Sequence, residues 1–257
     1  MAEIPAPLQA LLADPSGASL GLRLPPGEVV ATDSGEPVMW LSDEPADADL
    51  LDHLWSAAHL NGLVPFVYDG SVIRLDPSTP PDPALTAETV LAGWSNRYRV
   101  FEPDHNPALS ETSQAEISSV LNFPGSRVAE QDRDRLAAKV AHLIQQDSPF
   151  AALAPGARGS DVLSTLGWTG PINYNDPIQS YSVVMRAWED EFDARVVMLM
   201  GDSLGCCVGR PPTTFDRALT LAHQQLAFCP DLAGEFGSVN NHAASLINRT
   251  MWHFWWD

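Results

Sequence analysis

The sequence predicts an α+β fold, a mixed or antiparallel sheet with packed helices, on three observations. Ile178, Tyr181, Met185, Trp188 and Phe192 recur at helical spacing. Two apolar runs, Arg195 to Met200 and Leu204 to Gly209, flank Gly201-Asp202-Ser203, the pattern of a hairpin with a short loop. Met251 to Trp256 is short and rich in aromatic residues, which suits a strand better than a helix.

The elements follow in chain order. Leu8 to Leu12 suits a short opening helix, and Ser19 to Leu24 reads as a strand stopped by Pro25-Pro26-Gly27. Val38 to Leu41 reads as a buried strand broken by Ser42-Asp43-Glu44-Pro45. Asp47 then caps a helix whose apolar stripe is Leu50, Leu51, Leu54, Trp55 and Ala58. Asn61-Gly62 turns the chain into a strand from Leu63 to Tyr68, making a β-α-β unit whose two strands are expected to pair in parallel. Asp76 to Pro83 is a proline-rich loop, and Thr86 caps a helix with Val90, Leu91, Trp94 and Tyr98 on one face. Residues 101–127 show little regular pattern. Leu136, Val140, Leu143 and Ile144 mark a further amphipathic helix, with Asp132, Arg133, Asp134 and Arg135 at its start. Residues 146–175 read as irregular.

After Asp176, Pro177 suits the first position of a helix, and Asp193 is expected to end that helix in the left-handed region. Pro211-Pro212 stops the hairpin's second strand. Thr213 is the expected cap of the next helix, with Phe215, Leu219, Ala222 and Leu226 as its buried face. Strand alternation places Trp252, Phe254 and Trp256 on one side of the final strand and Met251, His253 and Trp255 on the other. The expected division is an N-terminal α/β-like subdomain over 1–150 with proline-rich loops, and an α+β domain over 151–257.

Composition narrows the function. The 257 residues carry 33 acidic and 14 basic side chains, a formal charge of -19. A nucleic-acid partner is not expected, because phosphate neutralisation needs clustered Lys and Arg, and Lys139 is the sole lysine. The acidity suits a basic protein partner steered to the surface. Apolar runs stay well below the roughly 18 residues of a membrane span. Met1-Ala2-Glu3-Ile4-Pro5 lacks the pattern of a signal peptide, and Cys206, Cys207 and Cys229 do not make a disulfide framework, so a cytoplasmic location is expected.

Chemical motifs are sparse. Cys229 follows a helix, whose C-terminal dipole disfavours a thiolate. The seven histidines show no metal-ligand spacing beyond Asp49 and His53 at i,i+4, so no metal site is expected. Gly201-Asp202-Ser203-Leu204-Gly205 has the spacing of a nucleophile elbow, but the serine falls in a hairpin, not between strand and helix. Neither phosphate-binding nor dinucleotide-binding glycine patterns occur, and no cofactor is expected.

Taken together, Ser182 to Phe192, the paired strands around Leu204, Pro211-Pro212, Ala227-Phe228-Cys229-Pro230-Asp231 and Phe254-Trp255-Trp256-Asp257 resemble a bacterial family known as domain of unknown function 4253. Gly167-Trp168-Thr169-Gly170 and Val38 to Pro45 resemble flanking regions of its longer members. The resemblance implies a domain over roughly 150–257 and brings no catalytic residues with it. Two functional expectations lead, ahead of a third, a purely structural partner within a larger assembly. One is a binding module, of which an immunity-type protein is the instance in view, that uses an exposed Trp255 and His253 on an acidic surface. The other is a small enzyme with a site assembled from Asp202, Arg210, His223, Asp231 and His253.

Overall fold

The computed structural model describes residues 4–32, 34–69, 81–98, 134, 137, 150–174 and 176–257. The expectations for 101–127 lie outside them. So do those for residues 76–80 and for the helix marked by Leu136, Val140, Leu143 and Ile144, within which only Asp134 and Ala137 are described, both helical.

Seven strands form one mixed sheet: β1 (Gly27–Ala31), β2 (Pro37–Pro45), β3 (Leu63–Tyr68), β4 (Phe150–Pro155), β5 (Ala194–Leu199), β6 (Ser203–Val208) and β7 (Met251–Trp255). Their order is β1-β2-β4-β3-β5-β6-β7. Every neighbouring pair is antiparallel except β3 and β5. Eight α-helices accompany the sheet among the described residues: α1 (Ala6–Ala13), α2 (Ala48–Ala57), α3 (Ala87–Tyr98), α4 (Val162–Leu166), α5 (Ile178–Phe192), α6 (Phe215–Phe228), α7 (Leu232–Phe236) and α8 (Val239–Leu246). The molecule is therefore α+β.

Two apolar cores lie on opposite faces of the sheet. Leu8 and Leu11 of α1 and Leu51, Leu54 and Trp55 of α2 meet Leu63 and Val67 on one face. Helices α3 to α8 cover the other, where Val64, Phe66 and Tyr68 point. β3 is thus buried along its whole length, as a strand covered on both sides must be.

Several local expectations hold. Asp47 Oδ1 accepts from Leu50 N–H at 2.8 Å, and Thr86 Oγ1 accepts from Thr89 N–H at 3.2 Å, so both capping residues satisfy an orphan helix donor. Asp193 ends α5 with φ of 52°. The hairpin runs from β5 to β6, and β7 extends it on the far side of β6. Trp252, Phe254 and Trp256 all point into the helix-covered core.

Other expectations are corrected. Ser19 to Leu24 is not a strand: Ala18–Leu20 is a single 3-10 turn between left-handed glycines at 17 and 21. The edge strand β1 instead begins at Gly27, just past Pro25-Pro26. β2 and β3 do not pair with each other. β4, drawn from the zone read as irregular, lies between them and bonds antiparallel to both. Ser42 secures the junction across a register shift, accepting from Ala151 N–H at 3.0 Å and donating to the Glu44 carbonyl at 2.7 Å. Pro177 precedes the first helical residue of α5, whereas a first-turn position was expected. Thr214, not Thr213, occupies the N-cap of α6. The buried stripe of α6 is Ala218, Leu221, Ala222, Gln225 and Leu226, with Phe215 and Leu219 only half-buried at its margin.

The tryptophan tail and α5 interlock through rings. Trp188 stacks on Phe254 at 5.8 Å and 13°, and meets Trp252 and Phe228 at 5.8 and 4.9 Å. Trp168 meets Trp256 edge-on at 5.4 Å and donates its indole N–H to the Met200 carbonyl at 2.6 Å. Gly170 lies flat on that indole: a Cβ there would sit 2.0 Å from the Trp168 ring. This accounts for Gly167-Trp168-Thr169-Gly170, in which Gly167 ends α4 at φ 63° and Gly170 clears the ring.

Candidate functional site

Three places collect polar side chains. The first is a cleft of about 490 Å³ lined by residues of β3, β5, the 157–159 loop and the end of α5. It exists because β3 and β5 are laddered only at Val67–Met198 and Tyr68–Leu199, so their N-terminal halves part. Gly159 lets the loop lie against β5, where a Cβ would stand 3.1 Å from Val196 N. Three arginines meet the negative end of the α5 dipole here. Arg158 pairs with Asp190 at 2.6 Å and Glu189 at 3.4 Å; Arg195 pairs with Asp134 at 2.6 Å and Asp193 at 3.3 Å. Arg210 donates to the Asp190 carbonyl at 2.5 Å, and its backbone N–H to that of Phe192 at 2.8 Å. Burial opposes the Arg195 charge, but Asp193 and Asp134 outweigh it and raise the guanidinium further. Each guanidinium is matched by a carboxylate or a helix carbonyl, which makes this cleft a clamp on the end of α5.

The second place is the outer side of β7. Trp255 is 44% exposed and faces outward with His253. Asp202 lies at the hairpin turn, where its backbone carbonyl accepts from Trp256 N–H at 3.0 Å and its carboxylate accepts from Ser203 Oγ at 2.8 Å. Asp231 accepts from the Asp257 backbone N–H at 3.1 Å. Desolvation lowers the His253 pKa, the carboxylates of Glu235 and Asp202 oppose that, and Arg249 reinforces it. The strand's outer edge is blunted: Arg249 Nε donates to the Met251 carbonyl at 3.1 Å, and Cys229 Sγ to that of Trp255 at 3.0 Å.

The third place is a cavity of about 190 Å³ between α6, α7, α8 and β7, lined by Gln225, Glu235, His242, Arg249, Trp252 and His253 among others.

Of the residues singled out by sequence, Asp202, Asp231, His253 and Trp255 come together around β7. Arg210 lies in the cleft at the end of α5, and His223 is exposed on α6. Gln225 and His242 are not among the expected site residues, His242 entering only as one of seven histidines without metal-ligand spacing. Their signal was a polar residue at a stripe position, Gln225 among Leu221, Ala222 and Leu226, and His242 among Val239, Ala243 and Leu246.

The remaining chemical candidates have structural explanations. His53 Nε2 accepts from Arg23 N–H at 3.0 Å. Among the described residues no group of three or more His, Cys, Asp or Glu is arranged to hold a metal, and no helix is long and apolar enough to cross a membrane. All three cysteines are buried and free. Burial pushes the Cys207 and Cys229 thiols up to about 12 and raises Cys206 strongly. Native protein is therefore expected to resist thiol-directed reagents at neutral pH until denaturant is added. A fast-labelling cysteine in the native state would contradict this.

Residues 150–257, from the first residue of β4 to Asp257, match the family model described as Domain of unknown function (DUF4253). The matched segment includes both the β7 surface and the cavity beneath it. No curated protein and no solved structure matches the chain.

Proposed function

We propose that this protein is a binding module of a bacterial cytoplasm that engages a basic protein partner through the outer side of β7. An immunity-type protein that neutralises a basic effector is the concrete form of this reading. The observation that carries it is the exposed Trp255 amid the acidic groups Asp202, Asp231, Glu235 and Asp257. An indole provides a large rigid contact and one N–H donor, and the carboxylates steer a cationic surface toward it. The overall charge of -19 extends that field across the molecule. The capped carbonyls of Met251 and Trp255 favour docking through side chains over strand addition. The three buried free thiols suit a reducing compartment. The enzyme alternative requires Asp202, Arg210, His223, Asp231 and His253 in one cleft, and their placement at the hairpin turn and β7, the α5 clamp and the face of α6 weighs against it.

The test is copurification of a basic partner from the native source, followed by measured affinities. Trp255→Ala is expected to weaken binding by about 2 kcal/mol, roughly thirtyfold, while leaving the fold intact. Asp202→Lys combined with Glu235→Lys is expected to slow association and flatten its salt dependence. Unchanged affinity and association rate in the charge-reversed protein would reject the reading.

A further inference from the structure

The two edges of the sheet differ. At β7 the carbonyls of Met251 and Trp255 are taken by Arg249 Nε and Cys229 Sγ. At β1, the opposite edge, the outward backbone is open. The phase of the β1–β2 ladder follows from Asp43 N–H, which donates to the Pro26 carbonyl at 2.9 Å. The partners then run Gly27–Ser42, Glu28–Leu41, Val29–Trp40 and Val30–Met39. In an antiparallel pair the backbone groups of alternate residues face the neighbouring strand. Pro26, Glu28 and Val30 therefore turn theirs to β2, and Gly27 and Val29 turn theirs outward. Among the described residues nothing bonds to the outward N–H and C=O groups of Gly27 and Val29.

This edge is accessible. Glu28 and Ala31 are exposed, and Gly27, Val29 and Val30 are half-buried. Gly27 carries no side chain to shield its own backbone, and the space a Cβ would need is filled by Trp40. Val29 packs against one core and Val30 against the other, so each flank of β1 keeps an apolar margin that an added strand would cover. The surrounding charge is of one sign. Glu28 stands on β1, Glu36 in the turn before β2, and Asp43 and Glu44 near the end of β2, all exposed. Arg23 is the cation nearest to them in sequence. A second copy of this chain is disfavoured, because pairing β1 with itself joins two molecules of charge -19 and brings Glu28 toward its own counterpart. A cationic strand meets neither obstacle.

We propose that the outer edge of β1 accepts an extended, basic segment of a partner protein as an additional strand, held by the N–H and C=O groups of Gly27 and Val29, with a lysine or arginine beside Glu28. The register shift between Val30 and Ala31 keeps the added ladder short, so side-chain charge decides which segments it takes. This edge lies across the whole sheet from β7 and stands or falls independently of the reading of Trp255.

The test uses the full chain and, as the probe, a capped heptapeptide that alternates lysine and valine. A second peptide of the same sequence has every backbone amide N-methylated, which keeps its charge and removes its donors. NMR follows the assigned amides of Gly27 and Val29. The first peptide is expected to shift both amides saturably and to slow their hydrogen exchange, and the second to bind about tenfold more weakly. Val29→Pro removes an outward donor and leaves the ladder to β2 intact, because an edge strand tolerates proline where its N–H faces away. It is expected to weaken the first peptide about tenfold, read at Gly27, and Glu28→Lys about fivefold. The proposal is overturned if the Gly27 and Val29 amides ignore the first peptide. It is equally overturned if the two peptides bind the parent alike, which would leave only charge attraction, or if folded Val29→Pro binds the first peptide as tightly as the parent.

Discussion

Truncating Trp188 to alanine is expected to cost about 3–5 kcal/mol of folding stability and to lower the melting temperature by roughly 10 °C. The indole stands where α5, α6 and β7 meet, stacked on Phe254 and in edge or tilted contact with Trp252 and Phe228. Its removal opens a cavity lined by rings, which relax poorly because each is held by another: Phe228 by Tyr181 and Trp256, Trp252 by Phe192. The indole N–H also bonds to Gln224 Oε1 at 3.0 Å, and that carbonyl is left to water. Trp188→Phe retains most ring contact and should lose less than half as much. Urea unfolding of both variants beside the parent checks the ordering. Trp255→Ala is the internal comparison, an indole of the same strand system facing outward, expected within about 0.5 kcal/mol of the parent. Equal losses at positions 188 and 255 would mean that the helix-covered core is not where stability resides.

The second large effect is a dependence of stability on pH centred on His242. In the folded protein its pKa is lowered to about 3 by burial, with Arg249 contributing, whereas the unfolded ring has the ordinary value near 6.5. Between those values the unfolded chain binds a proton that the folded chain refuses. Stability from this group is therefore complete above about pH 6.5 and falls on acidification, by up to about 1.4 kcal/mol per pH unit. His253, lowered in the same direction, adds a smaller slope of the same sign, and the nearby carboxylate of Glu235 partly offsets it. Urea unfolding between about pH 6.5 and pH 4.5 checks this, within a window mostly above ordinary carboxylate titration. His242→Leu should remove most of the slope. Parent and variant curves that stay parallel would show that the buried imidazole is not the titrating group.

The legible parts of this fold were those set by neighbours in sequence. The stripe of α5, the β5–β6 hairpin and the alternation of β7 each follow from a local period, and Asp47 and Thr86 marked helix starts through their own hydrogen bonds. β4 had no such mark. Ala151-Ala152-Leu153-Ala154 is a poor strand former in isolation, and it becomes a strand because β2 and β3 offer it two edges and two covered faces. β1 was hidden for a related reason, since Gly27 follows two prolines and its pairing is set by β2. The surface around β7 was partly legible because the hairpin and the tail place Asp202 beside Trp256. Arg210 went elsewhere because the end of α5 needed its guanidinium. The cavity depends on α7 and α8 folding over β7, a long-range arrangement that brings Gln225 and His242 to one space.

The position of β4 also affects how the protein is made. Ser42 and Ala151 bond across 109 residues, so a ribosome delivers β2 and β3 long before the strand that joins them. During that interval the inner rims of both strands carry open backbone donors and acceptors beside apolar side chains, a surface on which nascent chains adhere to one another. Non-local pairing of this kind is slow, because a long loop must close before any contact compensates for the lost chain entropy. Recovery of native protein should therefore respond more to lowered synthesis temperature and to holdase chaperones than the size of the finished core would suggest.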